Sequence, residues 1–174
     1  MALTVKQLSD IHYITLEEVY ENTGIQKNVE QSELYPYLKI SERSYIDDIL
    51  GEDLSVALKT EIFNVTTGGT LSQRFEDLIE YIKPAEALFV QYSYIGISTY
   101  KSTPEGLVKK SDEHFESVSI DEFNAIRKQI ESRAYTFLRQ LKNYLEANID
   151  DYPEYVSECT DLNKPNNAHN ILFY

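Results

Sequence analysis

The sequence predicts a mainly α protein, a helical bundle of about four main helices with a small β-hairpin and extended termini. Three observations carry that expectation. Apolar residues keep a helical spacing across residues 36–63 with one glycine interrupting them. Two later stretches, 71–92 and 120–145, keep the same period. Between them apolar and small residues alternate instead, which is the period of a strand.

The 174 residues suit one compact domain with a single core. Sixteen Lys and Arg face 29 Asp and Glu, a formal charge of -13. Such a balance argues against gripping nucleic acid by counterion release and against anionic membranes. No run approaches the ~20 apolar residues of a membrane helix, and the first residues lack the basic start and apolar core of a secretory signal. The lone Cys159 excludes an internal disulfide, so packing must hold the fold.

Residues 1–33 read as an N-terminal arm, with one helix start at Thr15, where Glu18 gives capping-box spacing. Pro36 stands where a helix can begin without losing a needed donor. Tyr45/Ile46, Ile49/Leu50, Leu54, Ala57/Leu58 and Ile62 then form one stripe. Gly51 is expected to end the first helix, with Glu52 and Asp53 favouring the N-terminus of the next. Asn64 to Gly69 reads as a plain connector, since a phosphate-binding loop would need a lysine and a flanking strand.

Thr70 with Gln73 offers another capping-box spacing, opening a long helix whose inward face is Leu71, Phe75, Leu78/Ile79, Ile82, Ala85, Phe89 and Tyr92. Pro84 inside it predicts a kink or break. The alternation from Ile95 to Tyr100, the turn Thr103-Pro104-Glu105-Gly106 and a return over Leu107-Val108-Lys109 predict a protruding hairpin near 95–111. A hairpin is only marginally stable alone, so it should lean on the helices or pair with another subunit. Ser119 with Glu122 gives the clearest capping box, opening a helix to about Asn148 with Ile120, Phe123, Ile126, Ile130, Ala134, Phe137/Leu138, Leu141 and Leu145 inward. Its opposite face, with Arg127, Lys128, Glu131, Arg133, Arg139 and Lys142, reads as solvated or as a partner surface. Pro153 is expected to start a short last turn through about Glu158. The helical domain therefore spans 34–159 and a C-terminal tail 160–174.

No catalytic, cofactor-binding or metal-binding signature occurs, and no cofactor is expected. His12, His114 and His169 are far apart, and the Asp112–Glu116 run reads as a solvated acidic loop. The adjacent carboxylates Asp47-Asp48 and Asp150-Asp151 point apart on a helix, unlike an acid-base dyad. Interaction surface is the one class of site the composition suggests. Fourteen tyrosines occur without a tryptophan, and Tyr92, Tyr94 and Tyr100 cluster at the helix-to-hairpin junction. Tyrosines line core rims as well as interfaces. Leu107 and Val108 on the hairpin, and the apolar end Ile171-Leu172-Phe173-Tyr174, complete the candidate contact residues.

The order of a short arm, Tyr35-Pro36-Tyr37-Leu38-Lys39-Ile40, a helix ending in Tyr45-Ile46-Asp47-Asp48-Ile49-Leu50-Gly51, the acidic restart Glu52-Asp53-Leu54, a second helix, a long helix, a hairpin with Ile97-Ser98-Thr99 and a closing long helix resembles the head-tail connector (adaptor ring) proteins of tailed phages. More narrowly it is similar to uncharacterised versions in phages and prophages of gut bacteria. The resemblance covers roughly residues 34–148, and Tyr45 to Gly51 is its most specific piece. It implies a structural virion protein, not an enzyme, whose subunits form a ring at the portal-tail junction, contacting themselves, the portal and tail-completion proteins. The virion neck, and the host cytoplasm during assembly, would be its location. Negative charge suits a channel wall crossed by DNA, with repulsion acting over a screening length of ~8 Å. The alternative is a non-viral helical protein-protein interaction module, and an acidic metal-using enzyme is a third class that would need Asp, Glu and His converging in one pocket.

Overall fold

The structure, a computed structural model, describes residues 4–98, 100–103, 106–109 and 119–155. In order these form α1 (Val5–Leu8), α2 (Leu16–Asn22), α3 (Gln31–Ser41), a π-type turn (Glu42–Ile46), α4 (Asp47–Thr66), α5 (Gln73–Ser98), β1 (Tyr100–Thr103), β2 (Gly106–Lys109), α6 (Ile120–Ala147) and a 3-10 turn (Ile149–Asp151). The protein is mainly helical, as its periodicity predicts.

Helix α5 is the axis of the fold. Every residue from Ala85 to Val90 is buried, so the helix is enclosed all round at its middle. Helices α2 and α3, the π-type turn and α6 supply that enclosure. Along α6, Ile130, Ala134, Leu138, Leu141 and Leu145 form the buried stripe, and the Ser119–Glu122 capping box is formed. Two residues expected to face inward do not: Ile120 and Ile126 are 75% and 47% exposed. The stripe is fully buried only from Ile130 onward.

The elbow at Gly51 is present. Its φ of 75° and ψ of 167° lie in a region open in practice to glycine alone, and they break α4 into two helical pieces. Ile46, Leu50, Leu54 and Leu58 are completely buried on either side of it, following the predicted stripe. Helix α3 starts at Gln31, five residues before Pro36. A helix-interior proline forfeits the bond to the carbonyl four residues back. Here that carbonyl belongs to the exposed Ser32, where water can reach it.

Several boundaries differ from the sequence reading. Residues expected to form a free N-terminal arm instead pack on the bundle, with Tyr13, Ile14, Val19 and Ile25 buried and α2 lying against α5. The Thr15–Glu18 capping box starts α2 and fixes how that segment enters the core. The expected Thr70–Gln73 box is not formed: Gln73 Nε2 donates to Asp77 at 2.8 Å, while Ser72 N–H and Oγ both bond Glu61 of α4, at 2.9 and 2.8 Å. Pro84 does not break α5, whose neighbours hold it through six consecutive buried positions immediately after the proline. Ile95 to Ser98, read as strand from the alternation of Ile95 to Tyr100, belong to α5. So short an alternation cannot outweigh the packing of Tyr92, Tyr94 and Ile95 against the core.

Strands β1 and β2 pair antiparallel from Tyr100↔Lys109 to Thr103↔Gly106. A 3-10 turn precedes Pro153, and the expected turn does start there, closed by Tyr155 N–H donating to the Tyr152 carbonyl at 2.9 Å; its continuation to Glu158 lies outside the described residues. Fully buried Tyr152 donates from its hydroxyl to the Arg74 carbonyl at 2.6 Å, and Arg74 grips Glu154 through two bonds of 2.9 and 3.0 Å. Those bonds fasten the end of the described chain to the first turn of α5. The predicted C-terminal tail, 160–174, lies outside the described residues.

Candidate functional site

The densest chemistry lies where the N-terminal segment meets the α3–α4 elbow. Glu42, in the π-type turn, accepts from Lys59 Nζ at 2.5 Å, and its other oxygen lies 2.9 Å from His12 Nδ1. Lys59 also sits 3.7 Å from Asp47 Oδ1 and 4.7 Å above the Tyr13 ring. The Tyr13 hydroxyl donates to Asp47 at 2.6 Å and contacts Ser55 Oγ, which itself donates to Asp47 at 2.9 Å. His12 Nε2 reaches the Tyr35 hydroxyl at 3.0 Å. Three segments distant in sequence are thereby tied by charged hydrogen bonds, with Glu42 and Lys59 only 3% and 8% exposed at their side chains.

Burial, reinforced by the Asp47 charge, raises the Tyr13 hydroxyl far above its ordinary pKa, so it acts as a fixed donor. On α5, Glu86 is completely buried and neither carboxyl oxygen has a hydrogen-bond partner among the described residues. Burial is the largest cause raising its pKa well above the usual carboxylate range; Glu42, Asp47 and Glu18 add to it, and Lys59 opposes it. An open cleft of about 540 Å³ borders the cluster, with His12, Tyr13, Glu18 and Lys83 on its wall. Among the described residues no group of three or more His, Cys, Asp and Glu is placed to hold a metal ion. The arrangement can clamp the elbow to the N-terminal segment. Sequence reading missed it, although Glu86 standing alone in the apolar run from Ala85 to Val90 is a signal that could have found it.

Of the candidate contact residues, Tyr92 and Tyr94 do not form one patch. Two positions apart on a helix, they face different neighbours. Tyr92 lies beneath the Arg127 guanidinium of α6, 4.5 Å from its ring, and bonds Glu131. Tyr94 donates to Glu33 at 3.4 Å and meets the Tyr37 ring edge-on at 5.8 Å, both on α3. Tyr100 is in β1, and Leu107 and Val108 are in β2. Ile171, Leu172, Phe173 and Tyr174 lie outside the described residues, as do His114 and Cys159. A different aromatic group surfaces between the elbow and α6: Tyr45 stacks on Phe89 at 3.7 Å, and half-exposed Tyr135 meets Phe89 edge-on at 5.3 Å.

A family of unknown function (DUF6712) matches residues 46–162, two thirds of the chain. The chain belongs to the DUF6712 family. The matched region of this DUF6712 member starts at the end of the π-type turn and takes in the Gly51 elbow, α5 and α6. His12, Tyr13 and Glu42, which hold Lys59 and Asp47, precede it. No curated protein and no solved structure matches the chain. Among the described residues no helix is long and apolar enough to cross a membrane.

Proposed function

We propose that this chain is a structural subunit of a phage or prophage head-tail connector, oligomerising into a ring at the portal-tail junction without catalytic turnover. The observation that carries the reading is the Gly51 elbow. The segment Tyr45 to Gly51, the most specific piece of the resemblance, ends in a glycine-only backbone conformation, so this motif marks a built hinge between two packed helices. The order of elements after it, helix, long α5, β1–β2 and long α6, supports the same reading. The β1–β2 ladder, following directly on α5, is the natural contact with a neighbouring subunit or ring, because two strands alone are marginal. The virion neck is the proposed location and the portal and tail-completion proteins the proposed partners.

The test mixes the purified chain with the portal protein encoded beside its gene and weighs the product by size exclusion with light scattering. Co-migration at a fixed stoichiometry is the expected result. Absence of phage structural genes in the neighbourhood, together with a stable monomer or dimer that ignores the portal, would move the assignment to a non-viral interaction module.

A further inference from the structure

We propose that a second copy of this chain docks its α4 acidic turn onto a basic stripe of α6, giving a head-to-tail contact. On α6, Lys128, Tyr135 and Arg139 stand seven and four residues apart, a spacing that aligns them on one outward line. All three are exposed, and neither cation forms an ion pair among the described residues. Helix α6 carries five cations against four acids in a chain whose formal charge is -13. It is therefore locally basic on an acidic molecule.

The complementary surface is on α4 just past the elbow. Glu52, Asp53 and Val56 are exposed, and neither acid is paired among the described residues. Glu52 and Val56, four apart, share one side. Glu52, Asp53 and Val56 lie on α4 and Lys128, Tyr135 and Arg139 on α6, so the two surfaces are made of different residues. Different surfaces meeting head to tail close a ring or extend a filament, whereas a two-fold dimer would need each surface to be self-complementary. Tyr135, buttressed by Phe89, supplies the apolar centre that Val56 can meet, and tyrosine and arginine are the residue types that most often anchor such contacts. The inference rests on the connector reading only in assuming self-assembly; the choice of surfaces comes from charge and exposure.

The experiment measures sedimentation of the full chain, at protein concentrations up to the millimolar range, in low and high salt. Wild type is expected to self-associate at low salt and to weaken about tenfold or more at 0.5 M salt. Lys128→Glu with Arg139→Glu, and separately Glu52→Lys with Asp53→Lys, should each abolish association. Mixing the two variants, or joining all four changes in one chain, should restore it; all positions are exposed, and far-ultraviolet circular dichroism checks folding. A wild type that stays monomeric at low salt, or association indifferent to both reversals, would overturn the contact. Each variant is also mixed with the portal. If the α6 reversal abolishes portal co-migration but leaves self-association intact, the stripe faces the portal: the contact fails while the connector reading stands.

Discussion

At Glu86 the core holds a carboxyl whose two oxygens have no hydrogen-bond partner among the described residues. An isolated buried charge is so costly that such a group keeps its proton instead. The folded protein therefore binds one proton that the unfolded chain, with an ordinary value of 4.5, releases as pH rises. With the raised value in the native state, the contribution of Glu86 to stability is fully present below pH 4.5 and falls by about 1.4 kcal/mol per pH unit above it, until the native group itself ionises. Glu86→Met keeps the volume and removes both the proton and the unpaired oxygens. Its gain in stability should grow as pH rises above 4.5, read from urea titrations at each pH. Parallel pH profiles for the two proteins would show that Glu86 is not held protonated. Lys59 presents the opposite case, a buried charge made tolerable by Glu42, Asp47 and the Tyr13 ring. Breaking such a set leaves an uncompensated charge, whereas Glu86 has no partner to lose.

Among the elements, the elbow between the two pieces of α4 is the clearest case of a single residue setting geometry. A Cβ built on Gly51 meets nothing within 4 Å, so steric crowding is absent and only the backbone resists substitution. Gly51→Ala should therefore destabilise by about 1–3 kcal/mol. The urea midpoint should shift with an unchanged denaturant slope. An unaltered midpoint would mean that the elbow can re-form as continuous helix. Both the elbow and α6 were legible because each rests on local rules: a glycine closing an apolar stripe, and a Ser119–Glu122 box opening another. Pro36 and Pro84 misled for the converse reason. Local rules place proline at helix starts or breaks, yet tertiary packing carries both helices through. The Glu42–Lys59–Asp47 clamp was illegible in spacing, since charged residues on a helix ordinarily mark its solvated face. Nothing local announces that His12 and Tyr13 will fold across to meet them.

For the whole molecule, the question is whether residues before α3 are an appendage or part of the folding unit. The family match begins at residue 46 and the first thirty residues mix short apolar and polar pieces, so both suggest a removable arm. Burial argues the opposite. Ile14, Val19 and Ile25 are 2%, 0% and 8% exposed, and hiding three such side chains contributes about 5–9 kcal/mol. That is comparable to the entire stability of a typical domain, roughly 5–15 kcal/mol. Removing the segment also strips Asp47 of its Tyr13 donor, Glu42 of His12 and Lys59 of the Tyr13 ring beneath it. A chain beginning at Gln31 should consequently lose its cooperative urea transition and much of its helical circular dichroism at 25 °C. Deletion of a mere arm would leave both unchanged, and that outcome would show the bundle to be self-sufficient from α3 onward. If the truncated chain does unfold, any partner that drew this segment away would have to replace the same buried contacts. The N-terminal region would then be a structural wall of the subunit, and reach toward neighbours would fall to the surfaces of α4, α6 and the β1–β2 ladder.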